Sequence, residues 1–463
     1  MNNEAIAKFE QSLRGAVIGR EHPDYNEARK LHNGMIDKRP LLIARCADVA
    51  DVITAVNFGR DNKLAVAIRG GGHNGPGLAS VDDGLVIDLS GMKGVRVDPA
   101  RRTVRAGPGC VTGDLDHAAH PFGLAVPFGI ISTTGVAGLT LSGGHGYLTR
   151  QYGLTADNLI EADVVLADGR FVTASERENA DLLWALRGGG GNFGVVTSFL
   201  YQAHPANMLT AGPIIWDLKD AAAVMRWYRE FQASSPPDDF FVFLGLQGVP
   251  PGEPFPREHW GKNVCVLLIA HNGTPAEGER AVNALRAALP APAIDWVGPM
   301  PYPVLQSLFD GLFPKGQQIY WKGDFVKTLP DAAIDAHIAE AAKLPTPLSA
   351  MHLYPIDGAV HRRAPNATAW NCRNATWSMV IVAVDPDPDP SKAPALKRWG
   401  RDYWQAVHRF DLEGAYPNFM MDDEGEARLK ATYGENYARL AALKAKFDPQ
   451  NLFHVNHNIR PAA

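Results

Sequence analysis

The run Ile68-Arg69-Gly70-Gly71-Gly72-His73-Asn74 constrains this chain more than any other. Three consecutive glycines follow the short apolar, β-branched stretch Leu64 to Ile68, and a histidine closes them. Glycine takes positive φ without a side-chain clash and lets another group come close to the backbone. A strand that ends in such a turn lines up bare N–H groups, an arrangement suited to an anion such as a pyrophosphate. The turn gains meaning from a second block. It reads Ser132-Thr133-Thr134-Gly135-Val136-Ala137-Gly138, then Ser142-Gly143-Gly144-His145-Gly146-Tyr147, then Gly153-Leu154-Thr155-Ala156-Asp157-Asn158. Two glycine-rich turns about 60 residues apart can grip opposite ends of one long cofactor.

The rest of the chain narrows the class. A length of 463 residues is too great for one hydrophobic core and predicts two or three compact units. With 46% hydrophobic and 21% charged residues the composition is that of an ordinary soluble globular protein. A formal charge of -5, with Lys and Arg scattered, argues against nucleic acid or a membrane surface as partner. No segment approaches the roughly 20 apolar residues of a spanning helix. The start Met1-Asn-Asn-Glu-Ala lacks the basic and apolar parts of a signal peptide, so cytoplasmic residence is expected. Cys46, Cys110, Cys265 and Cys372 are far apart with no CxxC pair, which predicts reduced thiols and no metal site.

Val49, Val52, Ile53 and Val56 repeat at helical spacing ahead of the Leu64 to Ile68 strand, and Leu85 to Leu89 is a second apolar run. Val95 and Val97 answer Thr103 and Val104 across a turn. Ala162 to Ala174 reads as a hairpin around Asp168-Gly169, and Ala180 to Leu186 as a helix. Near His204-Pro205 the character changes. Strand-like runs at Val264 to Ile269, Gln318 to Trp321 and Ser378 to Ala383 lose the β-α alternation, which predicts an antiparallel sheet with helices on one side. Asp385 to Pro390 reads as an exposed connector. Tyr433, Tyr437, Leu440, Leu443 and Phe447 read as one face of a single tail helix. The expected division is 1–205, 206–415 and 416–463.

At the glycine blocks, at Arg187-Gly188-Gly189-Gly190-Gly191-Asn192-Phe193-Gly194-Val195-Val196-Thr197, and in the tail, the chain resembles the berberine bridge enzyme-like, FAD-linked oxidases. The tail blocks are Tyr433 to Tyr437, Phe447 to Phe453 and Asn456 to Ile459. These enzymes lie within the vanillyl-alcohol oxidase superfamily. The resemblance is greatest to the bacterial members that include hydroxynicotine and oligosaccharide oxidases. It implies an α+β, two-domain fold of the PCMH type. Two α/β subdomains hold FAD, an antiparallel-sheet domain flanked by helices covers the substrate, and the tail returns to the first domain.

The resemblance also assigns residues. His73 is the place of a bond from a ring nitrogen to the 8α-methyl carbon of FAD. The place of a second, cysteinyl bond is here Ile131, so a single link is expected. Arg69, Gly70, Gly71, Gly72 and Asn74 are expected around the pyrophosphate. Thr133, Gly135, Gly138, Gly143, Gly144 and Gly146 are expected against the ribityl chain or ring, with Asn158 in the same shell. Val196 is expected at the adenine end, Asn456 and Asn458 near the ring, and Thr134 beside the carbon that dioxygen attacks. Gly188 to Gly191 follow a helix, where a dinucleotide fingerprint would follow a strand. His145 reads as a packed or solvated side chain, and Cys110 as a small buried one.

Tyr416, in Gly414-Ala415-Tyr416-Pro417-Asn418-Phe419, is the expected catalytic base. A phenol with an ordinary pKa of about 10 needs a cation or hydrogen-bond donors for that task, and Lys322 and Arg373 are candidates for the cation. Tyr320, Trp321, Trp370 and Trp377 are expected on the middle-domain sheet, some of them on the pocket side. The implied activity is hydride transfer from a C–H next to an alcohol or amine to covalent FAD, followed by reoxidation with dioxygen. The partners are then a small-molecule substrate and dioxygen, and the chain a monomer or homodimer. Two alternatives stay open: a flavin dehydrogenase or oxygenating enzyme of secondary metabolism, and a flavin-holding binder or redox sensor.

Overall fold

A computed structural model describes residues 3–462. The first sheet has four strands in the order Ala16–Gly19, Leu42–Arg45, Leu85–Asp88 and Val66–Arg69. The last three are parallel and the first is antiparallel to its neighbour. The helix Val49–Asp61 makes the crossover between two of the parallel strands, and the Asp48 carboxylate caps it by accepting from the amides of Ala50 and Asp51. The strand before the glycine turn starts at Val66, two residues later than the apolar run suggests. Leu64 is still part of the helix stop, its N–H donating to the Gly59 carbonyl at 2.9 Å while Lys63 takes positive φ.

The second sheet is wholly antiparallel, in the order Val95–Asp98, Thr103–Ala106, Val195–Gln202, Leu159–Val165 and Phe171–Ser175. It contains both predicted hairpins, with Gly169 supplying φ 84° at the tip of one. The third sheet carries eight strands, all antiparallel, and is drawn from Met208 to Asp385. The helices Ala221–Ala233, Pro275–Ala288, Asp331–Ala341 and Ala393–His408 cover one of its faces, over Trp216, Leu244, Leu267, Met351 and Ile381. The opposite face presents Phe243, Leu268, Tyr354, Val380 and Val382 to Tyr147, Leu148 and Ala125 of the N-terminal half. Side chains alternate faces along a strand, so a sheet covered on both sides needs apolar residues at successive positions. That explains unbroken runs such as Val264 to Ala270, each large side chain contributing about 1.5–3 kcal/mol on burial.

The tail departs from expectation. It forms two helices, Gly425–Tyr433 and Asn436–Phe447, not one. The break is at Gly434, which has positive φ and lies against the Asn371 amide where a Cβ would project. Leu440, Leu443 and Phe447 of the second helix pack into the core of the N-terminal half. Lys444, fully buried, fixes this docking: its ammonium pairs with Asp448 at 2.6 Å and donates to the carbonyls of Asn192 and Phe453. Asp385 to Pro390 is an exposed turn held by the Gln318 amide. Among the described residues all four cysteines are free and buried, no group of acidic, His or Cys side chains is placed to hold a metal, and no helix is long and apolar enough to cross a membrane.

Candidate active site

The two glycine turns meet. Gly70 to Asn74 leave the strand Val66–Arg69, and the loop ending at Gly135 lies directly on them. A Cβ on Gly71 or on Gly135 would stand 2.6 Å from the backbone of the other, so neither position admits a side chain. Gly135 also opens the helix Val136–Leu141. The tail segments at Tyr416 to Phe419 and Val455 to His457 close the sides, with Gly190 to Asn192 at one end. Trp321 and Tyr354 reach in from the inner face of the large sheet. The result is a cleft of about 1750 Å³, its open mouth included.

Of the residues singled out in the sequence, Gly70, Gly71, Gly72, His73, Asn74, Thr134, Gly135, Gly138, Val196, Asn456 and Tyr416 line this cleft. Nothing lies within 4 Å of where a Gly138 Cβ would project, so its bare backbone faces free space. The others are placed differently. The Arg69 guanidinium pairs with Asp88 at 2.7 Å and donates to the Ala28 carbonyl at 2.7 Å, which leaves only its backbone at the turn. Thr133 is exposed on the outside of its loop. Gly143 makes room for the Trp370 ring, Gly144 for the Thr155 side chain and Gly146 for the Phe128 carbonyl, so these three glycines serve protein packing. Asn158 donates through its amide nitrogen to the carbonyls of Tyr152 and Leu154, and its oxygen accepts from His204 Nε2. Asn458 is not on the lining; its Oδ1 is buried without a partner in the protein.

The cleft is mainly apolar, with a few polar side-chain atoms and no charge. No Lys, Arg, Asp or Glu lines it among the described residues. An anionic group there meets backbone N–H groups and neutral side chains. Burial lowers the His73 imidazole to about 3 and that of His145 to about 3, so both are neutral near pH 7. His73 Nε2, His145 Nδ1, His457 Nε2, Trp321 Nε1 and Asn456 Oδ1 are buried and have no partner in the protein. Each such atom costs about 1–3 kcal/mol if left unsatisfied. Their convergence on one cleft is what a bound polar molecule would satisfy.

Tyr416 is buried, and its hydroxyl oxygen accepts two hydrogen bonds: from the Gly144 N–H at 3.0 Å and from Asn418 Nδ2 at 2.8 Å. Burial pushes the phenol up to about 12, while both donors pull against that rise. Neither cation suggested by the sequence reaches it. Lys322, expected as a candidate, is buried on the helix side of its strand between Asp423 at 2.8 Å and Glu424 at 2.7 Å. Arg373 is bound to Asp157 at 2.6 Å and to Thr368 at 2.7 Å. Donors therefore replace the expected charge.

His145, read from sequence as a packed or solvated residue, is packed, and it also lies on the cleft lining. Its ring centroid lies 4.6 Å from that of Tyr416 and 5.3 Å from that of Tyr354, and its Nε2 bonds Ser378. The Tyr354 hydroxyl pairs with His352 Nδ1 at 2.7 Å. Of the four aromatics expected on the sheet, only Trp321 lines the cleft. Tyr320 bonds Asp423 on the other side of the same strand, Trp377 packs among the helices, and Trp370 stands behind Gly143. Tyr354, Asn418, Phe419 and His457 also line the cleft, and sequence reasoning gave none of them a role of its own. Asn418 and Phe419 lie in the Tyr416 segment and His457 between Asn456 and Asn458, so only Tyr354 lacked a local signal. Ile131 is on the cleft wall, whereas Cys110 faces the Gly94 carbonyl at 3.7 Å and is absent from the lining.

Comparison with known proteins agrees with this geometry. Residues 40–175 match the FAD binding domain family and residues 415–460 the berberine and berberine-like family. An FAD-linked oxidoreductase of Dictyostelium discoideum is 30% identical over 463 aligned positions, which cover 99% of this chain and 97% of that one. The chain belongs to the berberine bridge enzyme-like, FAD-linked oxidoreductases. The (R)-6-hydroxynicotine oxidase of Paenarthrobacter nicotinovorans is 31% identical, with 97% of each chain covered. The crystal structure of 6-hydroxy-D-nicotine oxidase from Arthrobacter nicotinovorans has a TM-score of 0.85 and 27% identity, over 97% of this chain and 99% of that one. As a berberine bridge enzyme-like oxidoreductase, the protein is an enzyme that uses FAD. Its cleft fits that cofactor: glycines without side chains at the joined turns let a pyrophosphate come close to the backbone, and the unpartnered side-chain atoms suit a polar ring system.

Proposed function

We propose that this enzyme is an FAD-dependent oxidase of a small molecule carrying an alcohol or amine, with one covalent link to its flavin, at His73. The bound cofactor supplies the hydride acceptor and the path of electrons to dioxygen. His73 lines the cleft as a neutral imidazole, which keeps a nitrogen lone pair for bonding to carbon. Ile131 offers no thiol for a second link, and the Cys110 thiol points elsewhere. Gly70 to Asn74 and Gly138 offer backbone to the cofactor, Val196 and Asn456 its two ends.

Tyr416 takes the proton from the substrate heteroatom as hydride leaves the adjacent carbon. The Gly144 N–H and the Asn418 amide stabilise the phenolate form of Tyr416, which accepts this proton and becomes the neutral phenol. Trp321, Tyr354 and Phe419 exclude water around the reacting carbon. Thr134, small and on the cleft wall, leaves room for dioxygen. The observation that carries this reading is the presence of His73 and of the doubly hydrogen-bonded Tyr416 on one charge-free cleft. The same reading takes residues 1–205 as the cofactor unit, 206–415 as the substrate unit and 416–463 as the returning tail. It also takes the chain as a cytoplasmic monomer or homodimer.

The test is an anaerobic screen of alcohols, sugars, amines and phenolic compounds, scored by bleaching of the flavin absorbance. An oxidase substrate bleaches the protein and, when air is admitted, the colour returns with one hydrogen peroxide per flavin. Reduced protein that persists for minutes in air-saturated buffer supports a dehydrogenase. No bleaching by any compound class counts against the alcohol or amine assignment.

A further inference from the structure

His73 does not stand alone. The imidazole of His32 is stacked on it, with ring centroids 3.8 Å apart and planes 21° apart. His32 is buried, and its Nε2, like that of His73, is enclosed without a partner in the protein. Burial lowers His32 to about 4. Two neutral rings are therefore in face contact, with no charge and no hydrogen bond between them.

The backbone under His32 is fixed from both sides. Its N–H donates to the Gly72 carbonyl at 3.1 Å, and its own carbonyl accepts from the Gly316 N–H at 2.8 Å. The next side chain, Asn33, donates to the carbonyls of Gly75 at 2.7 Å and Ile319 at 2.8 Å, and accepts from the Ile319 N–H at 3.1 Å. Gly34 then donates to the Gln317 carbonyl at 2.7 Å. Leu31 to Gly34 is thus a strap between the turn that carries His73 and the strand Gln318–Val326 that carries Trp321. A segment with its backbone groups paired in this way has little freedom to let the His32 ring move away.

An imidazole in a glycine turn otherwise has little to hold its plane. Gly70, Gly71 and Gly72 contribute no side chains, and no hydrogen bond from another side chain reaches Nε2 of His73. Attachment to a carbon needs a ring nitrogen held at one angle and distance, and loss of that orientation removes much of the advantage of an intramolecular reaction. Among the described residues, the His32 ring is the one aromatic ring in face contact with it.

We propose that His32 is a positioning residue for covalent flavin attachment: its ring, held by the strap, fixes the plane of the His73 imidazole. This rests on the reading of His73 as the attachment site. In the attachment, a C–N bond forms between the His73 nitrogen and the 8α carbon. The imidazole N–H proton, one 8α hydrogen and two electrons pass to the flavin ring, and dioxygen then takes them as hydrogen peroxide. His32 neither gains nor loses a proton in this balance.

The test compares wild type with His32→Leu, which keeps bulk and removes the ring, and His32→Phe, which keeps a ring and removes both nitrogens. Each protein is made under riboflavin limitation and mixed with FAD in air. Covalent flavin is then followed as acid-precipitable absorbance and by intact mass. The expected result is attachment at least tenfold slower in His32→Leu and within threefold of wild type in His32→Phe, while both variants still bind FAD reversibly. Wild-type rates in His32→Leu overturn the proposal. So does a His32→Phe protein as slow as His32→Leu, because that assigns the effect to a nitrogen and not to stacking. If His32→Leu does not fold, the phenylalanine variant decides alone: a loss of tenfold or more overturns the stacking role. Wild-type protein that releases all its flavin into acid contradicts the His73 reading itself, and the proposal with it.

Discussion

The two halves of the cleft are made of different material. Around the joined turns much of the wall is glycine backbone: Gly70 to Gly72, Gly135, Gly138 and Gly191. Where the large sheet and the tail close the cleft, the wall is aromatic side chain: Tyr416, His145, Tyr354, Trp321 and Phe419. The first wall comes from a few contiguous runs. The second is gathered from a loop, two strands of the large sheet and the start of the tail. A backbone wall is a local property of sequence, because only glycine permits the contact between Gly71 and Gly135. An aromatic wall is a property of the assembled fold, because the same rings would be equally at home in a core.

The strongest way to break that contrast is at the contact of the two turns. Gly135→Val places side-chain atoms where the Gly71 backbone stands 2.6 Å from a Cβ, and backbone on both sides cannot retreat. Nearly complete loss of bound flavin and a lower melting temperature are expected, read from the flavin-to-protein absorbance ratio and a thermal scan. Wild-type flavin content would show that the turns are not the rigid element. On the other wall, Tyr416→Phe deletes one hydroxyl and should slow flavin reduction by about 10²–10⁴-fold in stopped flow. Its flavin content and spectrum should stay unchanged. A wild-type rate removes Tyr416 from the chemistry.

The same tyrosine predicts a pH dependence. Burial holds its phenol at about 12, so near neutrality the basic form is scarce and grows with pH. Wild-type reduction should then accelerate by up to about tenfold per unit from about pH 7 to pH 10 without a plateau. Tyr416→Phe should show a flat profile over that range. An equal slope in the mutant would assign the dependence to another group. A smaller effect is expected from Asn418→Ala, which removes one of the two donors to the Tyr416 oxygen. A hydrogen bond to a charged group is worth about 1.5–3 kcal/mol, and its loss makes the phenolate scarcer, so reduction should slow by at least about tenfold. No change would leave the Gly144 N–H as the donor that matters.

The sequence was legible where chemistry demands a residue type at a fixed offset. Gly70 to Gly72, Gly135, Gly138, His73, Ile131 and Tyr416, all taken from motifs, line the cleft. So were the strands of the large sheet, whose two covered faces require continuous apolar runs. Glycines at 143, 144 and 146 misled because the motif reads the same whether the space is taken by a ligand or by Trp370, Thr155 and Phe128. Lys322 and Arg373 misled for a different reason: the carboxylates that claim them, Asp423, Glu424 and Asp157, are distant in sequence. Tyr354 and Trp321 could not be separated from Tyr320 and Trp377 without strand register, which decides the face of every side chain.

The smallest expected effect is that of Cys110→Ser. Its thiol faces the Gly94 carbonyl and not the cleft, so flavin content and reduction rate should match wild type. The most direct measurement of the central claim is peptide mapping of the denatured enzyme. One yellow peptide containing His73, with no flavin left in the acid supernatant, is the result expected. Flavin on a peptide containing Cys110, or flavin released quantitatively on denaturation, would contradict it.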